Sequence, residues 1–179
     1  MKHLLALSLG LALAATSINA FAADNGGFVR AEIGNSKIDA GGADGDDTSF
    51  SLRGGYFFNA NFGVEGFYTN LGEDSSDGVS AEANAFGLGI VGKKNFSEEA
   101  HTGGFISGRL GVSRANTDIG VSGIGSVDDT STQPYIGIGG GYDFSPNFGL
   151  SLNIDYMKAD AFGTDLKFTT TSLGLEYRF

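Results

Sequence analysis

Eight ionisable residues stand at alternate positions inside otherwise apolar runs of the chain: Arg30, Glu32, Arg53, Glu65, Arg109, Asp155, Glu176 and Arg178, four of each sign. Guanidinium and carboxylate groups make the strong, charge-assisted hydrogen bonds of proteins, and equal numbers can neutralise one another. Such a set can be an ion-pair network that fills and braces an interior. It can also be a polar relay or narrow pore in which one pair is the gate. Filling is the stronger reading, because paired side chains in a narrow space leave only small water pockets. The spacing suggests particular pairs. If Phe58 opposes Phe62 across a tight turn, Glu65 opposes Gly55 and lies diagonal to Arg53. If the first and last strands adjoin, Arg30 and Glu32 come near Glu176 and Arg178.

Other chemistry is thinner. Beyond residue 22 the only histidine is His101, in a stretch with Ser97, Glu98 and Glu99. Ser, His and Glu could serve an interfacial lipid hydrolase, but a turn of Lys, Asn, Ser, Glu and His reads first as solvated. Gly87-Leu88-Gly89-Ile90-Val91-Gly92 matches the dinucleotide fingerprint in letters only, since it falls within a strand pattern and no helix follows. Gly41-Gly42-Ala43-Asp44-Gly45-Asp46 is an imperfect half of a calcium-binding repeat, with no second copy. No catalytic, cofactor-binding or metal-ligating residue is assigned, and neither an enzyme nor a cofactor is expected.

The elements that must position the charges are strands. Eight alternating runs are read: Gly27 to Asn35, Thr48 to Phe58, Phe62 to Leu71, Val79 to Gly92, Gly103 to Ala115, Thr132 to Phe144, Phe148 to Lys158 and Leu166 to Phe179. Period two means one apolar and one polar face. Connections after the second and sixth runs are tight, and the one from Lys93 to Thr102 is moderate. Those after the first, third, fifth and seventh are acidic, rich in Gly and Ser, and mostly longer, up to Asn116 to Ser131. This alternation describes an up-and-down meander. Gly54 to Val64 aligns without gaps to Gly140 to Leu150, and both copies straddle a tight turn.

Periodicity alone does not say which face is inside. Three features put the apolar face outside. The opposite face is crowded with small residues, such as Ala85, Gly87, Gly89, Ser107, Gly111, Ser113, Gly137, Gly139 and Gly141, which suit a narrow lumen. Aromatic residues gather on the apolar face at the tight-turn end as a girdle: Tyr56, Phe58, Phe62, Tyr142, Phe144, Phe148, Tyr177 and Phe179. Between this girdle and a second one begun by Phe50, Tyr68 and Tyr156, the same face carries Leu, Ile and Val without a charge. Aromatic belts around an apolar band belong at membrane interfaces.

The start of the chain reads as a signal peptide. Lys2 and His3 precede an apolar run from Leu4 to Ala15, and Ala20-Phe21-Ala22 supplies small residues for cleavage. That run is too short for a helix across a ~30 Å hydrocarbon core, which takes about 20 residues. The expected division is 1–22 signal peptide and 23–179 barrel domain. The whole chain holds 11 basic and 21 acidic residues, a formal charge of −10, and losing Lys2 leaves 10 against 21, or −11. Nucleic acid is a poor partner for such a surface. With no cysteine, disulfides and a thiol-linked lipid anchor are both excluded.

The last run ends Leu173, Leu175, Tyr177, Phe179 on its apolar face. With this ending, the signal and the Gly-Tyr-x-Phe hairpins, the chain resembles the small Gram-negative outer-membrane barrels of the OmpA transmembrane-domain and OmpX type. The resemblance implies an all-β, eight-stranded antiparallel up-and-down transmembrane β-barrel preceded by a cleaved signal peptide, exported through the periplasm to the outer membrane. It implies Phe179 as an assembly signal read by the barrel-assembly machinery. It also implies outer-membrane lipid and lipopolysaccharide as surroundings, and a structural, adhesive or surface-interaction role with a possible host or cell-surface ligand at the external loops. No peptidoglycan-binding domain is expected after Phe179. A narrow porin is the main alternative.

Overall fold

The computed structural model describes residues 25–39, 44–76, 79–97, 102–121, 125–161 and 164–179. They form eight strands: β1 (Gly26–Asp39), β2 (Asp44–Phe57), β3 (Phe62–Ser76), β4 (Val79–Asn95), β5 (Gly103–Val121), β6 (Gly125–Asp143), β7 (Phe148–Ala161) and β8 (Thr164–Arg178). Each pairs antiparallel with the next, and β8 pairs back to β1, so the sheet is a closed barrel. Closure removes the sheet edge, which hydrocarbon could not satisfy. Gly27 and Phe179 exchange two backbone hydrogen bonds of 2.9 Å at the seam between first and last strands.

The two faces are chemical opposites. Leu88, Ile90, Leu110, Val112, Ile138 and Leu152 point outward and are 52% to 69% exposed. Inward residues, charged ones included, are nearly all buried. A protein with its oil outside and its charges inside is arranged for lipid. Small lumen-facing residues make this possible. A Cβ on Gly87 would meet the Phe67 ring at 2.7 Å, and one on Gly111 would meet the Tyr135 ring at 2.7 Å.

The repeated hairpins share one turn mechanism. Asn59 Oδ1 accepts from the amides of Asn61 and Phe62 at 2.9 Å, and Ser145 Oγ plays the same part for Asn147 and Phe148 at 3.3 and 3.1 Å. Short polar side chains hold turns in this way. Each turn is then latched to the following strand in space: Asn61 Nδ2 donates to the Lys93 carbonyl at 2.8 Å, and Asn147 Nδ2 to the Arg178 carbonyl at 2.9 Å.

At the other end the expected long loops are corrected. Strands continue through most of the segments read as connections, and the β5–β6 ladder runs to Val121↔Gly125. A strand of about 9–11 residues crosses the hydrocarbon, whereas β5 and β6 have 19 each. The excess projects as paired hairpins, where Gly, Ser and Asp interrupt the period-two pattern. Among the described residues, the β2–β3 ladder stops at Phe50↔Asn70 and the β6–β7 ladder at Tyr135↔Met157. Above these seams the barrel opens into two four-stranded sheets, β7-β8-β1-β2 and β3-β4-β5-β6. Each seam carries a local cause. A β-bulge lies between Asn70 and Gly72, and Pro134, just above Tyr135, has no N–H for a ladder.

Candidate functional site

Alternation along all eight strands brings the charged residues together in the lumen. At mid-height, Arg53 reaches three carboxylates: Glu32 at 3.1 Å, Glu65 at 3.1 Å and Asp155 at 3.0 Å. Arg109 spans Glu32 and Asp155, both at 2.9 Å. The Tyr135 hydroxyl donates to Glu65 at 2.8 Å, and the Ser172 hydroxyl to Glu32 at 3.3 Å. Nearer the short turns, Glu176 takes Arg30, Lys93 at 3.2 Å and Arg178 at 3.0 Å. Asp143 takes Lys93 at 2.9 Å, Arg178, and the Asn95 amide at 2.8 Å. Arg30 joins the two layers, with Glu32 3.7 Å away on its other side.

Apolar groups close the network on one side and flank its lower layer on the other. Toward the projecting sheets, Phe67, Leu71, Ala85, Ala115, Tyr135, Met157 and Phe168 form one buried cluster, 0% to 6% exposed. Toward the short turns, Phe28, Phe57 and Val91 form another. Cations touch both ends: Arg53 lies 4.6 Å from the Phe67 ring centre, Arg30 5.5 Å from Phe28, and Lys93 3.9 Å from Phe105. Removing one partner of such a desolvated set strands a charge where water does not compensate it, which costs about 3–5 kcal/mol.

The structure places all eight residues singled out above in this lumen. Gly55 opposes Glu65 in register, and Arg30 opposes Glu176. One pairing differs from the simple expectation: Glu32 reaches Arg53 and Arg109 rather than Arg178. Lys93 and Asp143 complete the set at five cations and five carboxylates, and sequence reasoning missed both. Their parity was available, since Lys93 follows Ala85, Gly87 and Gly89 by even steps and Asp143 follows Gly137, Gly139 and Gly141. Ending the fourth run at Gly92 hid Lys93, and Asp143 was hidden by its place beside a turn. The two apolar clusters were missed as well, because their members share the lumen parity of the charges.

Of the girdle residues, Tyr56, Phe58, Phe62, Tyr142, Phe144, Phe148 and Phe179 are exposed and Tyr177 is partly so. Rings stack along it, Tyr142 with Phe144 at 5.4 Å and Phe148 with Tyr177 at 4.9 Å. His101, Glu98 and Glu99 lie outside the described residues, as does part of the Gly41 to Asp46 segment. Ser97 Oγ accepts from Thr102 Oγ1 at 3.2 Å. Among the described residues, no group of three His, Cys, Asp or Glu is placed to hold a metal. Gly87 to Gly92 lies within β4, with no phosphate-binding helix after it.

A closed antiparallel barrel with an apolar band, aromatic girdle and ion-paired lumen defines an integral membrane barrel of the bacterial outer-membrane class. Residues 8–179 match the outer membrane protein beta-barrel domain family, and the chain belongs to that family. No curated protein matches it. Among solved structures it is similar to Ail, the attachment invasion locus protein of Yersinia pestis, in complex with the heparin analogue sucrose octasulfate. That match has 25% identity and a TM-score of 0.63, and covers 86% of this chain and 99% of that one. Neisserial surface protein A shares the fold at 19% identity and TM-score 0.63, over 86% and 97% of the two chains. So does the N-terminal β-barrel domain of Pseudomonas aeruginosa OprF, at 16% identity and TM-score 0.59, over 85% and 97%. The protein is located in the outer membrane.

Proposed function

We propose that this protein is a surface-interaction barrel: a non-conducting anchor that presents two acidic β-sheets outside the cell. The observation that carries this reading is the lumen itself, where ten paired charges lie beneath one apolar cluster and beside another and leave the projecting sheets as the surface available for work. The lumen charges sum to zero, so the net charge of −10 resides elsewhere. Much of it falls in the projecting hairpins, with Asp39, Asp44, Asp46, Asp47, Glu73, Asp74, Asp118, Asp128 and Asp129. Sucrose octasulfate, bound to Ail in the similar structure, is a polyanion. Acidic hairpins repel such a ligand and favour a basic surface on a host or neighbouring cell. The seams add a second means of attachment, since a sheet edge can accept a strand from another chain.

Replacing residues 115–131 with an Asn-Gly turn removes most of the longest hairpin while leaving the barrel below it. Cells displaying the full chain are expected to adhere to a polylysine-coated surface and to host-cell monolayers. Cells displaying the shortened form should insert as much protein and adhere less. Equal adherence by both would refute the surface role. Two further parts of the reading concern biogenesis. Residues 1–22 are removed as a signal peptide, which N-terminal sequencing of the membrane-inserted protein tests. Phe179 acts as the assembly signal, so its deletion should lower outer-membrane insertion, and normal levels of the truncated protein would refute that.

A further inference from the structure

Two outward-facing glycines meet near the short-turn end of the barrel, where Gly92 of β4 pairs with Gly108 of β5. Phe62 of β3 and Ile138 of β6 continue the same row. A Cβ on Gly92 would come no closer than 3.8 Å to the Phe62 ring, and one on Gly108 no closer than 3.9 Å to the Gly137 carbonyl oxygen. Unlike the lumen glycines, which are pressed against side chains and backbone, these have room for a Cβ without a close contact. They floor a groove of about 420 Å³ walled by Phe62, Ile106 and Lys94.

The groove lies on a surface that faces hydrocarbon. A gap there forfeits dispersion contacts on one side unless an apolar chain enters it. Its mouth lies at the aromatic girdle, the headgroup level, beside exposed Phe62 and Phe96. Lys94 stands at that mouth, exposed and paired across the ladder with Ile106. Among the described residues facing outward at this end, Lys94 is the one cation. An ammonium at headgroup depth above a slot running into the hydrocarbon has the complementarity of one molecule class, an anionic phospholipid. We propose that the groove binds a single phospholipid of the periplasm-facing leaflet, one acyl chain lying over Gly92 and Gly108 and its phosphate on Lys94. This inference rests on the membrane orientation of the barrel and is independent of whether the lumen conducts.

Native mass spectrometry of the full barrel, released from micelles containing equal phosphatidylglycerol and phosphatidylcholine of matched chains, tests it. The wild-type protein should retain one lipid, with phosphatidylglycerol favoured roughly fivefold, the preference a single basic residue near an anionic headgroup supports. Gly108→Leu fills the groove from outside the lumen and should lose both lipids, its folding checked by heat-modifiable gel migration. Lys94→Gln should keep one lipid and retain the two kinds equally. If Gly108→Leu does not fold, the Lys94→Gln comparison decides alone. Equal retention of the two lipids by wild type, undiminished retention by folded Gly108→Leu, or an unchanged preference in Lys94→Gln would each overturn the proposal. So would a wild-type dimer that Gly108→Leu dissociates, which would give the groove to a second copy.

Discussion

Below the seams at Asn70 and Tyr135 the chain is a closed barrel whose two faces are opposite in chemistry; above them, among the described residues, it is two four-stranded sheets no longer hydrogen-bonded to each other. The strands themselves are continuous through the boundary, which the backbone marks with the bulge after Asn70 and with Pro134. The surroundings change there as well. Where one face meets lipid and the other a narrow lumen, every second residue is constrained, and stability is concentrated in buried charges and packed rings. Beyond the hydrocarbon that constraint is relaxed, and the sequence gains Gly, Ser, Thr and Asp. The lower half is built to be rigid, and the upper half is open to variation and contact.

Substitutions should break the two halves very differently. Glu176→Ala leaves Arg30, Lys93 and Arg178 short of a shared carboxylate and should lower the unfolding free energy in detergent by about 3–5 kcal/mol. A urea midpoint equal to wild type would remove the network from the explanation of stability. Ile90→Arg puts a charge on the lipid face at mid-height and should cost about 2–4 kcal/mol in the same titration carried out in lipid vesicles. Asn147→Ala loses the latch to the Arg178 carbonyl, and Asn61→Ala its twin to Lys93; each should cost about 1 kcal/mol, and unequal losses would show that the repeated turns do not share one mechanism. Thr48→Arg, on an exposed position of the projecting sheet, should stay within about 0.5 kcal/mol of wild type. A large loss there would erase the distinction between the halves.

How much of this was legible follows the same boundary. Strand number, antiparallel order, the outward apolar face and the lumen placement of Arg53 and Glu65 could all be read from parity, because lipid on one side makes parity informative. The projecting hairpins could not be read, since the Gly, Ser and Asp of Asn116 to Ser131 look like a loop, although the segment is paired throughout its described length. Pro134 was a usable sign that a ladder ends, and it passed unread. Lys93 and Asp143 escaped because residues beside turns are naturally assigned to solvent. Partner choice within the lumen depends on side-chain reach as well as register: Glu32 reaches Arg109 across the barrel, between strands that are not neighbours, which no pairwise strand reading contains. Phe67 and Phe168 share the parity of the charges, so their separation into an apolar lid appears only in three dimensions.

The central claim is that a neutral, ion-paired lumen packed with apolar clusters blocks the barrel, leaving its function to the projecting sheets. Single-protein recording in planar bilayers tests this most directly. The wild-type barrel should insert and remain electrically silent across the full voltage range, while Glu176→Ala, if it folds, should show brief openings where the lower layer has lost its shared carboxylate. Reproducible, long-lived conductance steps from the wild-type protein would contradict the claim and assign the molecule to the narrow porins.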